Sequence, residues 1–101
     1  MGIESKFVGQ HCIVRTVSAG VFAGTIKEID ASSAIVTDAR RIWYWAGAAT
    51  LSQLATEGTS RPADCKFPAT VPMVFLNWVI EVIPTSDKAR KSIEGVPVWR
   101  Q

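Results

Sequence analysis

The sequence predicts an α+β fold: a small, strongly bent antiparallel sheet or partial β-barrel with two short helices. Three observations carry this expectation. Residues 1–38 hold short apolar/polar alternations separated by tight turn signals, the pattern of an antiparallel meander. Two later segments each place a capping residue before a short helical stretch and a glycine after it. The chain is 101 residues long, which suits a single domain spanning 1–101 and leaves no room for a second.

The elements follow in order. Residues 8–17 alternate, with Cys12, Val14 and Thr16 on one face and His11, Ile13, Arg15 and Val17 on the other. Ser18-Ala19-Gly20 signals a turn, and residues 21–29 form a second strand in which Gly24 predicts a bulge or the close approach of another group. Asp30-Ala31-Ser32-Ser33 turns the chain into a third strand over residues 34–37. Residues 50–58 form a short helix, with Thr50 as N-cap, Gln53 at the capping-box position and Gly58 at C′. Residues 59–70 contain two prolines and no periodicity, so they are a loop. The apolar run over residues 71–83 predicts one long strand buried on both faces, with Trp78 in the core. Pro84 ends it. Thr85 or Ser86 caps a second helix over residues 87–94, which Gly95 closes, and Trp99 in the tail is expected to dock on the body.

Composition narrows the function. A hydrophobic fraction of 48% against 20% charged residues excludes intrinsic disorder. Eleven Lys+Arg against nine Asp+Glu leave a net charge of +2, too even for a protein that binds bulk nucleic acid through charge. Two cysteines and one histidine cannot furnish a closed four-ligand zinc site, so no metal is expected. The N-terminus has no apolar signal region, and Lys6 stands where a myristoylation pattern wants Ser or Thr. The apolar run 71–83 is too short to span a bilayer and is broken by Pro72, Asn77 and Glu81. A soluble cytosolic protein is expected, with Cys12 and Cys65 as free buried thiols; a disulfide between them is the alternative.

Catalysis finds no constellation. His11 and Cys12 are strand neighbours pointing to opposite faces, and the carboxylates fall in no motif. There is no Walker loop and no GxGxxG, and the glycines never cluster. No catalytic residue and no cofactor are expected.

Binding has a candidate in Arg40-Arg41-Ile42-Trp43-Tyr44-Trp45. Arginine presents a fork of donors that matches a phosphate, and indole and phenol faces stack on bases. In an extended segment Arg41, Trp43 and Trp45 share one face while Arg40, Ile42 and Tyr44 share the other. The following helix adds Thr50 and Ser52 hydroxyls and N-terminal N–H groups as an anion site. Two readings of the cluster stand: a ligand face, or aromatic core filling with an arginine laid over a ring. Arg15, Arg61 and Lys66 taken singly are solvated surface cations.

The string VRTVSAGVFAG from Val14 to Gly24, followed by TDARRIWYWAGA from Thr37 to Ala48, resembles a family of small phage-encoded proteins that carry an uncharacterised-domain label. The resemblance continues through Leu51-Ser52-Gln53-Leu54-Ala55, Glu57-Gly58, Cys65-Lys66-Phe67, Val79-Ile80-Glu81-Val82-Ile83 and the tail to Trp99, so it covers nearly the whole chain. It extends to the phage anti-CBASS sponges, which sequester cyclic oligonucleotide immune signals. This implies a non-enzymatic homo-oligomer that binds a cyclic di- or trinucleotide such as 3′3′-cGAMP in the cytoplasm of the infected host. On that reading Arg40 or Arg41 grips phosphate, and Trp43, Tyr44 or Trp45 stacks on a base. Phe22 is a second stacking surface, and Arg15, Ser52, Gln53 and Lys66 are further phosphate or base-edge contacts. Two rivals are a protein–protein inhibitor or small phage structural protein using the Arg/Trp cluster as a hot spot, and a linear nucleic-acid binder.

Overall fold

In a computed structural model, which describes residues 2–100, five strands form one antiparallel sheet ordered β4-β3-β2-β1-β5. The expected meander is β1 (His11–Thr16), β2 (Val21–Asp30) and β3 (Ser33–Arg41), while β4 (Val71–Leu76) and β5 (Val79–Pro84) take the two edges. Helices α1 (Leu51–Glu57) and α2 (Asp87–Glu94) pack on each other, and 3-10 turns occupy Ile3–Phe7 and Pro62–Asp64. Only Asn77 and Trp78 join β4 to β5, although three strands lie between them in the sheet. The two edges must therefore converge at that corner, which bends the sheet strongly. They do not pair, so the sheet stays open and does not close into a barrel.

Alternation along β1 and β2 divides the apolar residues between two cores. Cys12 and Val14 join Phe22, Ile26, Val36 and Leu76 inside the bend. Ile13 and Ala23 point the other way, to Ile42, Leu54, Phe67 and Ile93 beneath the helices. The inner strands, not the long apolar run, are thus buried on both faces. Gly24 marks a bulge: Ala23 pairs with Arg40 and Thr25 with Thr37, so Gly24 alone opposes Asp38 and Ala39. A Cβ at Gly24 would lie 2.6 Å from Val36 Cγ1 and 2.8 Å from the Thr37 carbonyl oxygen.

The helix signals operate as expected, with local adjustments. Thr50 Oγ1 accepts from the Gln53 N–H, whereas Gln53 Oε1 accepts from Ala49 N, one residue before the ideal capping-box donor. Gly58 follows α1 at φ +80°. Ser86, not Thr85, caps α2 by accepting from Ala89 N. Trp99 is half-buried, and its backbone N–H donates to the Phe67 carbonyl at 3.0 Å; Gln101, at the end of the tail, lies outside the described residues.

Three expectations are corrected. The third strand continues past residue 37 to Arg41, because the bulge at Asp38 (φ +49°) re-aims the chain without ending the ladder. Residues 71–83 are two strands, broken at Asn77 and Trp78, and their outward side chains are largely exposed. Trp78 lies at the corner with φ +59° and is 67% exposed, not core. A run of apolar residues cannot distinguish a strand covered on both faces from an edge strand whose outer face is uncovered.

Candidate functional site

Just past β3 the chain leaves the sheet. Trp43 N and Tyr44 N both donate to the Lys66 carbonyl, and Lys66 N donates back to Tyr44 O at 2.7 Å. This bridge turns successive side chains of the Arg/Trp cluster into different surroundings, and the six residues do not act as one.

Arg40 is 5% exposed. Its Nε donates to the Pro68 carbonyl, Nη1 to those of Ile93 and Glu94, and Nη2 to those of Phe67 and Val96. Five N–H donors meet five carbonyl oxygens, two of them at the electronegative C-terminus of α2. Burial lowers its pKa from the ordinary arginine value, with Cys65 acting in the opposite sense. The expectation that Arg40 grips a phosphate is therefore corrected: the guanidinium has no donor left to offer and ties three segments of the fold together.

Arg41 points the other way. Its guanidinium lies 4.4 Å from the centre of the Phe22 ring, and Nη1 donates to the Ala19 carbonyl at 2.6 Å. Among the described residues Nε and Nη2 take no protein partner. Arg41, Trp43 and Trp45 line a surface pocket of about 240 Å³, together with Ile42 and residues 18–21 of the β1–β2 turn. Trp45 is fixed there by its Nε1, which donates to the Ala48 carbonyl at 3.1 Å, while Trp43 is 63% exposed. This is the face the period-two argument assembled. The place of the turn that forms its opposite wall has no local signal in the sequence, because the β2–β3 pairing, with Phe22 opposite Arg41, brings residues 18–21 beside Arg41.

The other candidates lie elsewhere. Phe22 is buried beneath Arg41, so no base can stack on it; its ring supports the guanidinium from inside the bend. Tyr44 is outside the pocket, and Lys66 Nζ sits 5.9 Å from its ring and 5.7 Å from that of Trp99. Arg15 pairs with Glu81 through Nε at 3.0 Å. Gln53 is engaged by the α1 cap and lines a different, polar hollow with Gly47 and Lys88. Ser52 is exposed on α1. The anion site expected at the start of α1 is reduced, since the Gln53 and Ala49 N–H groups are already bonded to capping side chains.

The arrangement can hold an anion by the free donors of Arg41 and a planar group against Trp43 or Trp45. Cys12 and Cys65 are free thiols, each buried, and burial pushes the Cys12 pKa up to about 11. His11 Nδ1 is 2.6 Å from Thr85 Oγ1, and that hydroxyl donates to the His11 carbonyl at 3.0 Å. His11 is thereby bound into the β1–α2 junction and not into the pocket. Among the described residues no helix is long and apolar enough to cross a membrane.

A family model described as a domain of unknown function, DUF6948, matches residues 9–93. No curated protein matches the chain.

Proposed function

This chain belongs to the DUF6948 family of unknown function, and we propose that it is a phage-encoded anti-defence protein that binds cyclic oligonucleotide immune signals without cleaving them. The observation that carries the reading is the convergence of Arg41, Trp43 and Trp45 on one pocket. Free guanidinium donors suit a phosphodiester, and an exposed indole contributes about 1–3 kcal/mol per stacked base. The pocket's roughly 240 Å³ is smaller than the ~300–1,000 Å³ of sites that enclose a drug-sized ligand. One copy thus accommodates a single nucleotide of the ring, and a second copy in a homo-oligomer covers the remainder.

The test is calorimetric titration with 3′3′-cGAMP and other cyclic di- and trinucleotides in the cytoplasmic pH range, followed by heat release and mass analysis of the nucleotide. Binding with intact recovery supports sequestration. Linear products would make the protein a nuclease, and absence of binding to every cyclic nucleotide would remove the proposal.

The second reading is a protein–protein inhibitor or small structural protein. The exposure of Trp43 and Trp78 favours it, because rigid exposed indoles are typical interface anchors. Affinity capture from host lysate with the native protein and with Trp43→Ala separates the two readings.

A further inference from the structure

We propose that the hollow between Arg41 and the start of β4 is a binding site for a small monocarboxylate with an apolar body. The hollow has a volume of about 290 Å³ and is lined by Phe22, Ala39, Pro68, Val71 and Val74, with Arg41 the one charged side chain on its wall. It lies at the end of the core inside the bend, to which Phe22 and Ala39 belong and against which Val74 packs. Two register pairs place these walls: Phe22 lies opposite Arg41 across β2 and β3, and Ala39 opposite Val71 across β3 and β4. An apolar hollow with a few well-placed polar groups is the usual form of a small-molecule site.

Arg41 fixes the chemistry of the ligand. Its Nη1 is committed to the Ala19 carbonyl and its guanidinium rests on the Phe22 ring, while Nε and Nη2 have no protein partner among the described residues. Nε–H and Nη2–H form one edge of the guanidinium, with two parallel bonds that match the two oxygens of a carboxylate. On the planar group this edge is opposite Nη1. Ala19 lies on the β2 side of β3 and Val71 on the β4 side, so a guanidinium held to Ala19 by Nη1 turns its free edge toward the hollow. The two anchors also restrict the side chain before a ligand arrives, which lowers the entropic cost of binding.

The walls then select among anions. A carboxylate directs both of its oxygens to the fork and leaves no further acceptor in the apolar part of the hollow. A phosphate brings additional oxygens, and as a monoester a second charge, which no other charged side chain on the wall meets. The volume equals about ten water shares of ~30 Å³, so the ligand is a molecule of roughly ten non-hydrogen atoms, an aromatic or branched carboxylate. The inference goes beyond the nucleotide reading and does not rest on it. A nucleotide in the pocket of Trp43 and Trp45 would compete for the same guanidinium edge.

Titration of the full chain with 3-phenylpropionate, followed by NMR through the backbone amide shifts, tests it. Saturable shifts should centre on residues 39, 41, 69, 71 and 74. The amide 3-phenylpropionamide, which lacks the charge, and acetate, which lacks the apolar body, should each bind about tenfold more weakly. Arg41→Gln and Val71→Glu, both at exposed positions, should weaken 3-phenylpropionate by a similar factor, the second by setting a carboxylate beside the bound one. Arg15→Ala, outside the hollow, should leave binding unchanged. Absence of saturable shifts, an amide that binds as tightly as the acid, or binding indifferent to both Arg41→Gln and Val71→Glu would overturn the inference. Tighter binding of the peptide acetyl-Gly-Gly-Phe would also overturn it, by assigning the site to chain termini. These titrations contain no nucleotide, so their outcome and that of the 3′3′-cGAMP calorimetry are read independently.

Discussion

Arg40 Nη2 donates to the Val96 carbonyl oxygen at 2.6 Å, joining the end of β3 to the segment that leaves α2. The other four donors of the same side chain bind carbonyls of residues 67, 68, 93 and 94. One guanidinium thus binds acceptors in two stretches of chain that are otherwise joined here by the single Phe67–Val98 bridge. Arg40→Ala should destabilise the protein by about 3–5 kcal/mol, because it removes five hydrogen bonds and leaves the Pro68 and buried Val96 carbonyls without a donor. Arg40→Lys should recover part of that loss, having three donors for five acceptors. Urea unfolding followed by tryptophan fluorescence measures both.

Gly24 is a separate structural requirement. A methyl group there meets Val36 Cγ1 and the Thr37 carbonyl inside van der Waals contact, and both belong to the closely packed bulge. Gly24→Ala should cost about 1–3 kcal/mol as overpacking. A melting temperature equal to that of the native protein would show that the bulge yields at no cost.

At the pocket, Arg41→Ala and Trp43→Ala should leave the fold intact, since both side chains are exposed and neither belongs to the core clusters. On the proposed function each lowers cyclic-nucleotide affinity by about tenfold or more, from loss of a charge-assisted hydrogen bond or of one stacked base. Tyr44→Ala and Arg15→Ala, outside the pocket, should not. Calorimetry on the four variants distinguishes the pocket from a general effect of surface charge.

The Cys12 thiol supplies a prediction at alkaline pH. Its pKa is raised to about 11 by burial, above the ordinary 9.0. The unfolded chain releases this proton first, so the stability it contributes is complete below pH 9 and is lost as pH rises toward 11. Two pKa units correspond to about 2–3 kcal/mol. Native Cys12 should resist thiol reagents at neutral pH, and Cys12→Ala should flatten the alkaline fall in unfolding free energy.

His11 acts at the other end of the scale. Burial lowers its pKa, Arg90 lowers it further, and Glu94 raises it in part. The unfolded state therefore takes up the proton more readily, and stability present above the ordinary value of 6.5 is lost as pH falls through the depressed folded value. An imidazole titration followed by NMR should fall below that of a free histidine. His11→Gln should reduce the loss of stability on acidification.

Much of the architecture was legible because it rests on local rules. Alternation in β1 separates Cys12 and Val14 from Ile13, Gly24 marks its bulge, and Thr50, Gly58 and Gly95 bound the helices. The same alternation placed Arg41, Trp43 and Trp45 together. The break at Asn77 and Trp78 was hidden, since a tryptophan with positive φ has no sequence signature.

Strands, caps and the faces that side chains share follow from local pattern, because period and capping chemistry act within a few residues. The surroundings that each face meets depend on contacts between distant parts of the chain. Arg40 and Arg41 are adjacent and chemically identical, yet one closes on five carbonyls beneath the helices and the other lies over Phe22 with donors to spare. The carbonyls come from residues 67–96 and the ring from β2, so long-range pairing, not local pattern, gives the two arginines their different roles.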